Sequence, residues 1–140
     1  MDNFEKAKIA FDEASNGIKI KENEKIVLES KTGWCYNFAK DIPEADIKAH
    51  EQVILELKNS YYSFYFAKDI PGANIKAHEQ VILELKDPEY SCWFAEDIPG
   101  ANIEKHFKVI FNSGDKKWLN YFIKYVNYKG TKVEEWLLYI

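Results

Sequence analysis

The 21 residues "FAKDIPEADIKAHEQVILELK" at 38–58 return at 66–86 as "FAKDIPGANIKAHEQVILELK", with Glu44 exchanged for Gly72 and Asp46 for Asn74. A chain of 140 residues that spends so much of itself on one duplicated segment must build a fold from equivalent parts. The period reaches beyond the pair. Phe38, Phe66, Phe94 and Phe122 stand 28 residues apart, as do the aromatics four residues before them, Trp34, Tyr62, Tyr90 and Trp118. Upstream, residues 11–31 align at an offset of 27, setting Phe11 under Phe38, Ile20 under Ile47 and Glu24 under Glu51. Downstream, residues 122–140 read as a worn copy, with Leu137-Leu138 under Val109-Ile110.

Each unit reads as two short helices. In residues 87–113, Asp87 is suited to the N-cap and Pro88 to the first helical position, where its missing N–H costs nothing. Tyr90, Trp93, Phe94 and Ala95 mark one helical face. The helix must end before Pro99, because the residue preceding a proline is pushed out of the α region. Asn102 then caps the second helix. Its counterpart "IKAHEQVILELK" (75–86) carries Ala77, Val81, Ile82 and Leu85 as an apolar stripe. Strict alternation in "GIKIK" (17–21) admits a short strand, but the unit pattern favours a helix there.

Isolated helices shorter than about 12–15 residues are marginal in water, so such pairs need neighbours to cover their apolar faces. The expectation is all-α: an α-solenoid of about five 27–28-residue two-helix repeats in a single domain spanning 1–140. The units fall near 1–31, 32–59, 60–87, 88–115 and 116–140, with Lys6 and Lys8 making the first atypical, as a terminal repeat should be.

Cys35 and Cys92 lie about two repeats apart, some 20 Å at ~10 Å per helix pair, too far for a disulfide. His50, His78 and His106 share one repeat position, yet neighbouring positions ~10 Å apart cannot share a metal whose bonds are about 2 Å long. A structural role is expected for them, bonded to a turn or to the next unit. Asp41, Asp69 and Asp97 oppose the macrodipole at a helix C-terminus. They are expected to accept from the N–H groups of the following turn or to pair with Lys48 or Lys76. No nucleophile or oxyanion donor accompanies these residues, so neither catalysis nor a cofactor is expected.

Tyr61, Tyr65, Trp93, Tyr121, Tyr125, Tyr128, Trp136 and Tyr139 exceed what short helices can bury, and tyrosine and tryptophan are favoured at binding surfaces. Tyr65, Trp93 and Tyr121 occupy one repeat position. They and Tyr125 are the expected partner-binding anchors, with Lys117 and Lys124 as a charged rim. Charge is uneven: residues 1–103 hold 12 lysines and 19 acids, net −7, whereas 104–132 hold seven lysines against Glu104 and Asp115, net +5. Lys105, Lys108, Lys116, Lys117, Lys124, Lys129 and Lys132 among aromatics could grip RNA or single-stranded DNA. All 19 basic residues are lysine, which removes the side chain best shaped for bidentate phosphate contacts.

The unit "DPEYSCWFAEDIPGANIEKHFKVI" (87–110) resembles the short helix–turn–helix repeats of form DPxYxxxFAxDIxGADIxxxExxI found in proteins of phages and AT-rich bacteria. Its layout is similar to HEAT repeats, at shorter length. The resemblance covers residues 11–121 well and the last 19 poorly. It implies a helical-repeat fold and a mobile-element setting, where small proteins of this size act as inhibitors of host defence, anti-CRISPR proteins among them. The expected function is therefore macromolecular interaction, as a steric inhibitor of a larger protein or nucleoprotein. Nucleic-acid binding through 104–132 is the alternative. No apolar run approaches the ~20 residues that span a bilayer, and no secretory signal opens the chain, so a cytoplasmic location without membrane contact is expected. Self-association through the last unit, with Trp136, Leu137 and Ile140, is a further expectation.

Overall fold

A computed structural model describes residues 1–126. Among them every regular element is an α-helix: α1 (Asn3–Ser15), α2 (Ile20–Ser30), α3 (Trp34–Asp41), α4 (Ile47–Leu57), α5 (Ser60–Asp69), α6 (Ile75–Leu85), α7 (Pro88–Asp97), α8 (Ile103–Ser113) and α9 (Lys116–Tyr125). The all-α expectation is met. Residues 17–19 form a turn and bend, and α2 starts at Ile20, so "GIKIK" contains no strand. None of these helices is long and apolar enough to cross a membrane.

Helix starts follow from local chemistry. Asp2, Asp46, Asn59, Asp87, Asn102 and Asp115 each turn a side-chain oxygen onto a backbone N–H of the first turn. These bonds satisfy donors that a helix leaves orphaned. Pro88 occupies the start of α7, and α7 ends at Asp97, ahead of Pro99. The duplicated sequence yields matching helices, α4 and α6, of 11 residues each. The two exchanges between the copies fall in the turns before them. Gly72 sits at φ 78°, a left-handed conformation that favours glycine, whereas Glu44 is not in that region.

The chain divides into two compact units, 1–74 and 75–140. In the first, α3 packs against α1 and α5, and α2 packs against α4. Phe38, Phe66, Val27, Ile54 and Cys35 are buried in its core, with Ala7, Ala10 and Ala14 letting α1 lie close to α2. In the second, α7 packs against α8 and α9, and α6 against α7 and α8. Its core contains Cys92, Phe107, Ile110, Phe122 and Val126. The phenylalanines of the 28-residue register, Phe38, Phe66, Phe94 and Phe122, are all fully buried. Each such burial is worth roughly 2–3 kcal/mol.

Two expectations are corrected. Leu85, assigned to the apolar stripe of α6, is exposed; the buried positions are His78, Glu79, Val81 and Ile82. Leu85 is the last helical residue before Lys86 takes the chain into the left-handed region, so it falls beyond the packed part of the helix. The turn N–H groups expected to reach Asp41, Asp69 and Asp97 go elsewhere. Those of Ala45, Ala73 and Ala101 bond the carbonyls of Ile42, Ile70 and Ile98. Those of Asp46, Asn74 and Asn102 bond the carboxylates of Glu24, Glu51 and Glu79. Asp69 instead accepts a hydrogen bond from the Tyr36 phenol, because α3 lies alongside α5.

The histidines belong to the same scheme. His50 and His106 are fully buried, stacked on Phe38 and Phe94, and each directs Nε2 at the glutamate that holds the adjacent turn. The distances are 2.9 Å from His50 to Glu24 and 2.8 Å from His106 to Glu79. One carboxylate thus clamps both a neighbouring turn and a neighbouring core ring. Their role is structural.

A candidate interaction surface on the second unit

In residues 75–126 five aromatic side chains form a continuous ladder. Tyr90 and Trp93 of α7 stand 5.3 Å apart between ring centroids, and Trp93 meets Trp118 of α9 at 6.0 Å. Trp118 meets Tyr121 at 5.5 Å, and Tyr121 meets Tyr125 at 4.6 Å. The arrangement follows from helix periodicity. Tyr90 and Trp93 are three apart on α7, and Trp118, Tyr121 and Tyr125 follow at steps of three and four on α9, so each set shares one face. Packing of α7 against α9 joins the two sets.

Cations and a carboxylate fix the ladder. The Lys117 ammonium lies 5.2 Å from the Trp118 ring centroid, and that of Lys124 lies 5.2 Å from that of Tyr125, both within cation–π range. The Tyr121 hydroxyl donates to Glu96 Oε2 at 2.8 Å and is 3.1 Å from Oε1. This bond to a carboxylate, with some burial, pushes the phenol up to about 12. The rings are mostly half-buried, and Tyr125 is exposed.

Five of the six sequence-predicted anchors are therefore neighbours: Trp93, Tyr121, Tyr125, Lys117 and Lys124. Tyr65 lies in the first unit, packed on Tyr61 at 4.8 Å and Phe64 at 5.0 Å. Glu96 supports the ladder and was missed by sequence reasoning, because its partner Tyr121 lies 25 residues away on another helix, out of step with the repeat. Tyr128, Lys129, Lys132, Trp136, Leu137, Leu138, Tyr139 and Ile140 lie outside the described residues.

Cys92 and Cys35 are buried and unbridged, and burial pushes both thiols up to about 12, far from thiolate reactivity. Among the described residues no three His, Cys, Asp or Glu side chains converge as a metal site would require. The exposed lysines of this unit include Lys105, Lys108, Lys116, Lys117 and Lys124, of which Lys108 pairs with Glu104 at 3.3 Å. No family model, curated protein or solved structure matches the chain.

Proposed function

We propose that this protein is a macromolecular interaction module, an α-solenoid of about five two-helix units in one domain. It binds a larger protein through Trp93, Trp118, Tyr121 and Tyr125, with Lys117 and Lys124 as the rim. It acts by covering its partner's surface and carries out no reaction. Encoded by a phage or another mobile element, such a binder would serve as a steric inhibitor of a host defence complex, an anti-CRISPR protein being one form.

The observation that carries this reading is the ladder itself. Tryptophan and tyrosine dominate the energetics of protein interfaces, and rings already locked by neighbours lose little entropy on binding. Its internal geometry also supports a protein partner over nucleic acid. Bases stack on free ring faces. Here Trp93 and Trp118 meet at 81° and Trp118 and Tyr121 at 62°, so each edge contact occupies a ring face that a base could otherwise use. Lys117 and Lys124 stand over two of the rings, and Glu96 adds a negative charge that phosphates would avoid.

The exposed lysines of α8 and α9 favour the second reading, binding of RNA or single-stranded DNA. The deciding experiment captures partners from the native host with the full chain and with Trp93→Ala, then measures affinity for the captured protein across salt. Protein binding that falls about thirtyfold or more in Trp93→Ala and changes little with salt supports the proposal. Oligonucleotide binding that falls steeply with salt and ignores Trp93 overturns it.

A further inference from the structure

We propose that the first two helices form a self-association face on which a second copy of this chain docks, α1 against α1 in antiparallel order. Of the eight large apolar side chains exposed among the described residues, five lie within the first 26: Met1, Phe4, Ile9, Ile18 and Ile26. Three of them, Met1, Ile9 and Ile26, line one cleft, and exposed apolar surface gathered in this way marks an interaction site. This cleft of about 310 Å³ opens between α1 and α2, with Ile9 and Ile26 on its walls. Ala10, 2% exposed, forms its floor, where the small side chain lets α1 lie close to α2.

The identity of the occupant is written in the charges of the cleft. Lys6 and Glu13 both line it. Seven residues apart, they sit on one helical face about 10.5 Å from each other. They are placed symmetrically about Ile9 and Ala10, Lys6 three residues before Ile9 and Glu13 three after Ala10. A second copy laid antiparallel across this centre sets Lys6 against Glu13 of the other copy, and Glu13 against Lys6, while the two exposed Ile9 side chains pack side by side next to the axis. The face is its own complement, which is what a two-fold interface requires. A parallel copy would oppose like charges and is rejected. Both groups are available: Lys6 has no ion pair among the described residues. Glu13 holds Asn23 through Oε2 at 3.2 Å, leaving Oε1 free to accept.

Sedimentation velocity on the full chain, in a dilution series at low ionic strength, tests this. The wild-type chain should dimerise. Lys6→Glu and Glu13→Lys should each weaken the homodimer roughly tenfold or more, since each places two like-charge pairs at the contact. An equimolar mixture of the two variants should restore dimerisation, because the mixed pair opposes unlike charges at both positions. Circular dichroism checks that each variant stays helical. Should Glu13→Lys fail to fold, Ile9→Lys, at an exposed position, replaces it and should also abolish the dimer. A wild-type chain that stays monomeric, single variants that dimerise like wild type, or a mixture that fails to recover would each overturn the proposal.

Discussion

His106 hangs from Glu79: its Nε2 lies 2.8 Å from Oε2, and the same oxygen accepts the N–H of Asn102 at 2.7 Å. In the first unit His50, Glu24 and Asp46 repeat the clamp at 2.9 and 2.8 Å. Each glutamate belongs to the helix pair before the one it holds, so the clamp ties successive pairs together within a unit. Removing it should be felt well beyond one hydrogen bond. Glu79→Ala leaves the buried donor of His106 and the part-buried N–H of Asn102 without an acceptor and should cost about 2–4 kcal/mol. Glu79→Gln keeps an acceptor oxygen in place and should cost about 1 kcal/mol. Urea unfolding followed by circular dichroism measures both. Equal losses for Ala and Gln would show that volume matters there and the clamp does not.

Acid should undo the clamps in two steps. Burial holds His50 below its usual value of 6.5, and the Glu24 bond recovers only part of that shift. In the unfolded chain the ring therefore takes up a proton first, and stability falls as pH drops below about 6.5. Burial alone would raise Glu79, but the His106 bond, the Asn102 N–H and Lys105 outweigh it and hold the carboxyl below 4.5. Its contribution is present above about pH 4.5 and is lost as pH falls further, through the depressed value. The urea midpoint plotted against pH should decline in both windows. In His50→Gln the contribution of this ring to the upper decline should disappear while the lower one stays.

Close approach leaves a further mark at Gly33, the residue before α3. A Cβ placed there would run into the ring of Tyr62. Gly33→Ala should therefore cost about 1–3 kcal/mol, as overpacking does. The double variant Gly33→Ala/Tyr62→Leu, which withdraws the ring, should recover part of that loss. A double-mutant cycle on unfolding midpoints would read the coupling, and strict additivity would contradict it.

What the sequence made legible was whatever repeats along one helix. Phe38, Phe66, Phe94 and Phe122 could be placed inside because a fixed period sets a fixed face, and Asp87 and Asn102 could be read as caps because capping is local. The clamp was harder. Glu24, Glu51 and Glu79 recur nearly as regularly as the histidines, but a carboxylate's role depends on which chain it meets across some 25 residues. Glu96 under Tyr121 and Tyr36 against Asp69 were hidden for the same reason. Leu85 misled because the stripe it continues outlasts the packed part of its helix. The ladder's register could be seen in Trp93 and Tyr121, while its edge-to-face geometry, which argues against base stacking, could not.

The ends of the second helices hold an avoidable strain. Lys31, Lys58 and Lys86 follow α2, α4 and α6 with φ between 51° and 54°, and the residue that follows α8 in the same way is Gly114, at φ 74°. A side chain in the left-handed region costs roughly 1–2 kcal/mol, and glycine avoids that penalty while losing more freedom on folding. The balance favours glycine at such a terminus, so Lys58→Gly should stabilise by about 0.5–1 kcal/mol. The reverse exchange has a clean control. A Cβ on Gly114 would meet nothing within 4 Å, so any loss in Gly114→Ala comes from the backbone alone and should be about 1 kcal/mol. Paired thermal and urea unfolding reads both signs. If Lys58→Gly destabilises, the lysine side chain must be making a contact that outweighs its strained backbone.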